Sequence, residues 1–188
     1  SDLQYYRKRH LVPFGEYFPV PSFIREWMRL QSLPNKDLSK GNQIQSLIKF
    51  SENIFLATAI CYEVAFGSEQ LYAFPDAALL VNISNDAWFG DSIAPHQHLQ
   101  VSRMRSLEVG REMIRATNNG ISAFIGSRGE VNQQSDQFVF AMLSADIQPR
   151  RGSTPYVLFG NWPILFLSGV ILIFFYSFRM RNLKSAGN

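Results

Sequence analysis

IFLATAIC, residues 54–61, runs directly into Tyr62 and Glu63, and AALLVNIS, residues 77–84, runs into Asn85 and Asp86. Both are short apolar runs bounded by polar or turn residues, the pattern of buried strands. From about residue 96 to 117 there is no proline and a single glycine, Gly110. Val101, Met104, Leu107 and Ile114 fall roughly on one side at helical spacing, so one long helix is predicted there, stopped by Asn118-Asn119-Gly120. Residues 121–125 and 138–145 read as further strands, the first leading into the turn Gly126-Ser127-Arg128-Gly129. Strands alternating with a long helix predict an α/β fold.

Composition limits what such a fold can do. With 46% hydrophobic and 18% charged residues among 188, the chain is folded material rather than a disordered tail. The net charge of +3 comes without a basic block able to neutralise many phosphates, so nucleic acid is not an expected partner. A single cysteine, Cys61, excludes an intramolecular disulfide and any multi-thiolate metal site.

Five of the sixteen phenylalanines fall in the last thirty residues, where no charged residue occurs from Trp162 to Phe178. Such a run reads as a membrane helix, with Asn161 as its cap and Pro163 in its first turn; its competitor is a buried core helix. Seventeen residues span about 26 Å, slightly short of a hydrocarbon core, and residues 156–159 can extend it. Arg179, Arg181 and Lys184 favour a cytoplasmic C-terminus, although Arg150 and Arg151 upstream weaken that bias. The expected division is therefore a folded α/β domain over 1–155, a transmembrane helix over 156–180 and a tail over 181–188. Within the first, residues 20–45 form either a surface helix packed on the core or a lid or arm that touches lipid through Phe23, Ile24, Trp27, Met28 and Leu30.

Several residues could carry chemistry. A lone cysteine is commonly a buried small hydrophobe, but Cys61 ends an apolar strand, where side chains project into a crevice, and an acid follows within two positions. A thiol there needs a base and a cationic neighbour. YRKRHLVPFGE, residues 6–16, is either a solvated strand end or a loop that holds Lys8 beside Glu16. Asn85 and Asp86 read as turn-formers. Trp88 and Phe89 either pack the core or line an apolar substrate entrance. His96 and His98 alternate as metal ligands might, but without further ligands, so no metal is expected. Glu108 and Arg111 are expected to form a structural ion pair.

The strings YYRKRHLVPFGEYFP, ATAICYEVAF, NISNDAWFG and RATNNGISAFI, followed by GNWP and an apolar helix, resemble the C-terminal part of the apolipoprotein N-acyltransferase family, membrane members of the nitrilase superfamily. The resemblance covers nearly the whole chain. It implies a partial nitrilase-like α-β-β-α sandwich followed by one transmembrane helix. It also implies a Glu–Lys–Cys triad with Cys61 as nucleophile and Lys8 stabilising the oxyanion, Glu16 lying close by. Tyr62 and Glu63 match the two residues after the nucleophile, the Tyr62 amide being the natural partner of Lys8 in an oxyanion hole. Trp88, Phe89 and Trp27 are candidate substrate contacts.

The activity implied takes an acyl chain from a phospholipid onto Cys61 as a thioester, then passes it to the α-amino group of an apolipoprotein's diacylglyceryl-cysteine, with no metal or cofactor. The implied location is the bacterial inner membrane, with the catalytic domain periplasmic. The triad's glutamate would precede the lysine, where residues 1–7 offer only Asp2. The chain is therefore expected to be a C-terminal piece, inactive alone. Two alternatives are a nitrilase-type amidase acting on small amides or nitriles and a non-catalytic membrane-anchored module.

Overall fold

A computed structural model describes residues 3–30 and 37–185. Asp2, Pro34 and the last three residues of the expected tail lie outside the described residues. The centre is a six-stranded sheet in the order β1 (Ile48–Ser51), β2 (Ile54–Ile60), β3 (Ala77–Ser84), β4 (Met113–Thr117), β5 (Ala123–Ile125) and β6 (Val131–Gln134). β2, β3 and β4 are parallel and the outer pairs antiparallel. Parallel neighbours require crossovers. The first contains a 3₁₀ turn (Cys61–Ala65) and a short helix, and the second is a helix of sixteen residues, Ala94–Val109. Helices in chain order are α1 (Ser22–Leu30), α2 (Gly67–Gln70), α3 (Ala94–Val109), α4 (Pro155–Phe159) and α5 (Trp162–Ser185).

The apolar core joins Ala57 and Ala59 of β2, Ala77 and Leu80 of β3, Met113 of β4, Ala123 and Ile125 of β5, and Leu99 and Val109 of α3. The opposite sheet face is less covered. Side chains alternate along a strand, and while Asn82 and Arg115 are buried, their neighbours Ile83 and Ala116 are exposed, with Val81, Ile114 and Phe124 half-buried beside them.

The two central strands match their expected positions closely. The expected helix over 96–117 does not: it starts at Ala94, ends at Val109, and residues 113–117 are β4. Gly110 causes the stop. It takes a left-handed conformation (φ +63°) and its amide returns to the Ser106 carbonyl, a helix ending that glycine permits at little cost. A Cβ at 110 would also sit 3.1 Å from Thr154 Cγ2. Gly110→Ala is therefore expected to cost about 1–2 kcal/mol, read as a lowered thermal midpoint.

The buried side of α3 also differs from the expected one. Met104 and Leu107 are about half exposed, while Leu99, Ser102, Ser106 and Val109 face inward. The serines leave room for polar side chains beneath the helix. The strand expected over 138–145 is absent and β6 forms earlier. Gly126 and Gly129 close a turn through the Gly129 amide and the Gly126 carbonyl (2.9 Å), reversing β5 at once onto the polar residues 131–134. Phe138 then turns away at φ +59°, leaving Phe140 and Met142 about nine-tenths exposed.

α1 leaves Phe23, Trp27 and Leu30 exposed while Ile24 and Met28 are half-buried, so one side of the helix faces the protein and the other is open. The segment is tethered by Arg25, which donates to Asp37 Oδ2 and to the Phe18 carbonyl, both at 2.7 Å. At the other end, Thr154 caps α4 by accepting from the Val157 amide (3.2 Å) and donates to the Glu108 carbonyl. Residues 156–159 do not extend the long helix. They belong to α4, separated from α5 by Gly160 at φ +55°. From Trp162 to Arg179 α5 is long and apolar enough to cross a membrane, and none of that window is buried among the described residues.

Candidate active site

β2 ends at Ile60, and Cys61 opens the 3₁₀ turn with φ +54°. A left-handed backbone at a non-glycine residue costs about 1–3 kcal/mol and persists where surrounding contacts hold it. The thiol is partly accessible and donates to the Asn85 carbonyl at 3.9 Å. Asn85 follows the end of β3, so the sulfur lies at the carboxyl ends of two adjacent parallel strands, where α/β sheets place ligand crevices. Asn85 is itself fixed, its side-chain oxygen accepting from the Ala87 amide (3.2 Å) and Asn118 Nδ2 (2.6 Å).

The loop over 12–17 brings Lys8 and Glu16 together. Lys8 Nζ lies 2.7 Å from Glu16 Oε1, and the Val12 amide donates to the other carboxylate oxygen at 2.8 Å. Both side chains are largely enclosed. The loop abuts the end of β3, because the Trp88 ring lies 3.7 Å from where a Cβ on Gly15 would sit. The lysine charge is thus fixed by its carboxylate neighbour.

Glu63 points inward. Its carboxylate is 1% exposed and accepts from the amides of Ile60 (2.6 Å), His10 (3.2 Å) and Arg9, and from the Tyr6 hydroxyl (3.1 Å). With both oxygens engaged, it acts as a clasp between the chain over 6–10 and the end of β2. Burial, and then the Glu63 charge, push the Tyr6 phenol above its ordinary range, keeping it a neutral donor. The Tyr62 ring faces outward and meets Phe66 edge-on at 5.0 Å. Phe66 in turn stacks on His10, whose Nε2 lies 2.5 Å from Glu69.

A second buried network was not legible in the sequence. Asp86, expected to be a turn-former, is 1% exposed. Arg115 NH2 (2.8 Å) donates to one of its oxygens; Ser84 (2.6 Å) donates to the other, and His98 Nδ1 contacts that same oxygen at 2.9 Å. Arg115 also donates to Asn82, Ser102 and the Ile121 carbonyl. Burial would raise the Asp86 carboxyl, but the His98 and Ser84 hydrogen bonds and the Arg115 charge together hold it below the ordinary range. One available signal was an arginine inside the apolar strand MIRAT, which can be buried only with partners.

Other expected pairs separate. Glu108 pairs with Arg105 at 2.8 Å and not with Arg111. Arg111 donates instead to the carbonyls of Ala77 (2.9 Å) and Gly152 (2.7 Å), because Gly110 turns it off the helix before an i, i+3 contact can form. His96 contacts Gln137 at 3.0 Å, remote in role from His98. Among the described residues no group of three or more His, Cys, Asp or Glu is arranged to hold a metal. Trp88 is 72% exposed and Phe89 40%, so neither packs the core; Phe89 stands edge-on to His98 at 6.2 Å. Trp27 is exposed on α1.

A partly accessible thiol on a left-handed strand end, with a buried arginine close enough for its charge to couple to it, suits nucleophilic attack on a carbonyl. The carbon-nitrogen hydrolase family model matches residues 1–156. The apolipoprotein N-acyltransferase of Nitrosomonas europaea is 48% identical over 173 residues, 92% of this chain and 35% of that protein. That of Methylococcus capsulatus is 43% identical over 180 residues, 96% of this chain and 36% of that protein. The chain thus spans about a third of the length of the curated relatives it matches. Among solved structures, an amidase from Nesterenkonia sp. aligns with a TM-score of 0.43 and 21% identity, over 54% of this chain and 40% of that one.

Proposed function

The chain belongs to the carbon–nitrogen hydrolase family, and from that premise we propose that it carries the nucleophile-bearing part of a membrane apolipoprotein N-acyltransferase. The observation behind this reading is the pairing of two features in one chain: Cys61 held left-handed at the end of β2, and α5 with an unburied apolar window of eighteen residues. An enzyme of water-soluble substrates gains nothing from such a helix. One whose donor and acceptor both lie in a bilayer gains proximity, by confining catalyst and lipids to one surface.

In this reading the Cys61 thiolate attacks the carbonyl carbon of a phospholipid ester. The tetrahedral oxyanion collapses to a thioester, and the leaving lysophospholipid alkoxide takes the proton first removed from the thiol. The α-amino group of the apolipoprotein's diacylglyceryl-cysteine then attacks the thioester, forms the amide, gives up a proton and releases Cys61. Lys8 and the Tyr62 amide receive the developing oxyanion. Glu16 fixes Lys8, and Glu63 clasps the turn that carries Tyr62. Trp88 and Phe89 border the entrance, and Trp27 on its exposed helix meets the lipid.

The base is assigned to a glutamate in the part of the relatives that this chain does not span, since Glu16, Glu63 and Asp86 are each engaged by other partners. The isolated chain is accordingly expected to be inactive. The apolar window of α5 supports a location in the bacterial inner membrane, and in this reading Arg179, Arg181 and Lys184 lie toward the cytoplasm and the sheet domain in the periplasm.

The test is mass spectrometry of the full-length protein after incubation with phospholipid and no acceptor. The peptide bearing Cys61 should gain the mass of one acyl chain and lose it when a diacylglyceryl-cysteine peptide is added. An unmodified Cys61 together with turnover of small amides would replace this reading with a hydrolase.

A further inference from the structure

We propose that His98 is a positioning residue that aims the Tyr62 amide at the oxyanion, acting through the Cys61 carbonyl; the inference rests on the acyl-transfer reading above. His98 Nε2 lies 3.3 Å from the Cys61 carbonyl oxygen, and Nδ1 lies 2.9 Å from Asp86. That carbonyl and the Tyr62 N–H belong to one peptide plane. In a trans peptide they point in opposite directions. Fixing the Cys61 oxygen on the His98 side therefore fixes the Tyr62 N–H on the other, and it keeps Cys61 in the left-handed conformation that sets the direction of its thiol.

The ring is itself held firmly. Its side chain is 10% exposed and Asp86 is fully enclosed. Asp86 is locked in turn by Arg115 at 2.8 Å and Ser84 at 2.6 Å, and its amide donates to Asn118 Oδ1 at 3.1 Å. Phe89 closes the edge of the imidazole at 6.2 Å. The arrangement runs from β4 through the end of β3 and the start of α3 to the end of β2, so four elements converge on one peptide bond. The ring spans the Asp86 carboxylate with Nδ1 and the Cys61 oxygen with Nε2. His98 does not touch the sulfur in this geometry, and its contribution is to direction.

The experiment compares two reactions of Cys61 in the full-length protein. Acylation by phospholipid passes through an oxyanion; alkylation by iodoacetamide displaces iodide at a saturated carbon and does not. Alkylation is measured at a pH of about 9.5, above the ordinary thiol range, so that thiol ionisation does not distinguish the variants. His98→Asn keeps a donor near the Nδ1 position but cannot reach the Cys61 oxygen, and it is expected to lower single-turnover acylation about 10²-fold with alkylation close to wild type. His98→Gln places an amide near the Nε2 position and should recover most of the loss. Parallel loss of both reactions in His98→Asn would make the residue merely structural, and full acylation in that variant, or no recovery by His98→Gln, would equally overturn the proposal. Failure of the acyl-transfer reading is seen separately, as lipid transfer that persists in Cys61→Ser.

Discussion

Cys61→Ser in the full-length protein is expected to abolish acyl transfer, with kcat lowered by about 10⁴-fold or more, the scale on which loss of a nucleophile acts in covalent catalysis. The substitution is nearly isosteric. The neighbouring backbone contacts, from His98 to the Cys61 carbonyl and from the Ile60 amide to Glu63, involve no sulfur atom and should survive. What changes is acidity. A thiol ionises near pH 8.5 in water and is lowered further by cationic neighbours, whereas a serine hydroxyl remains protonated unless a base removes its proton in the transition state. The expected result is an unchanged thermal midpoint, no acyl adduct at residue 61 and no transfer to a diacylglyceryl-cysteine peptide. Retained transfer would show that Cys61 is not the nucleophile, whereas intact cellular function without any transfer would favour the non-catalytic module.

The strands that carry the site were legible because their signal is simple. Residues 54–61 and 77–84 are uninterrupted apolar runs, and a parallel strand covered by crossovers has no other use for such a run. The place of Cys61 at the end of β2 and the Lys8–Glu16 pair held by a short loop were also legible. Two kinds of feature were not. One was the end of α3, where a favourable helical pattern continued past Gly110 into MIRAT; pairing with Leu80 and Val81 claimed Met113 and Ile114 for the sheet, and tertiary pairing outweighs local propensity. The other was the network of Asp86, His98 and Arg115. Its members are separated by 12 and 29 residues from Asp86, and each alone has a commonplace surface role. Only the serines on the inward side of α3 and the arginine inside β4 hinted that a polar layer lies under the nucleophile. The apolar residues expected on that inward side, Met104 and Leu107, stand outward instead, which shows how a polar interior inverts the usual reading of helical periodicity.

That layer sets the second large effect. Asp86→Asn is expected to destabilise the fold by about 3–5 kcal/mol, the range for removing one partner of a buried ion pair. Both side chains of the Asp86–Arg115 pair are fully enclosed and lie 2.8 Å apart. The asparagine leaves the guanidinium in place and removes its countercharge, so the cation keeps its desolvation penalty without the compensating attraction. Arg115→Met should cost a similar amount, since it strands the carboxylate and leaves Asn82, Ser102 and the Ile121 carbonyl without their shared donor. The double variant should cost clearly less than the sum, because neither charge then remains unpaired. A double variant that loses the full sum would show that the two side chains act independently. The pH dependence has a definite sign. The Asp86 carboxyl titrates below its ordinary value in the folded protein, so its contribution is complete above the unfolded carboxylate range near pH 3.9 and is lost as pH falls through the lower folded value. The stability gap between wild type and Asp86→Asn should therefore be constant from neutral pH down to about 4 and close only in stronger acid. A gap that instead widened as pH fell from 7 to 5 would assign the linkage to a histidine paired with the carboxylate, and equilibrium unfolding across that range separates the two.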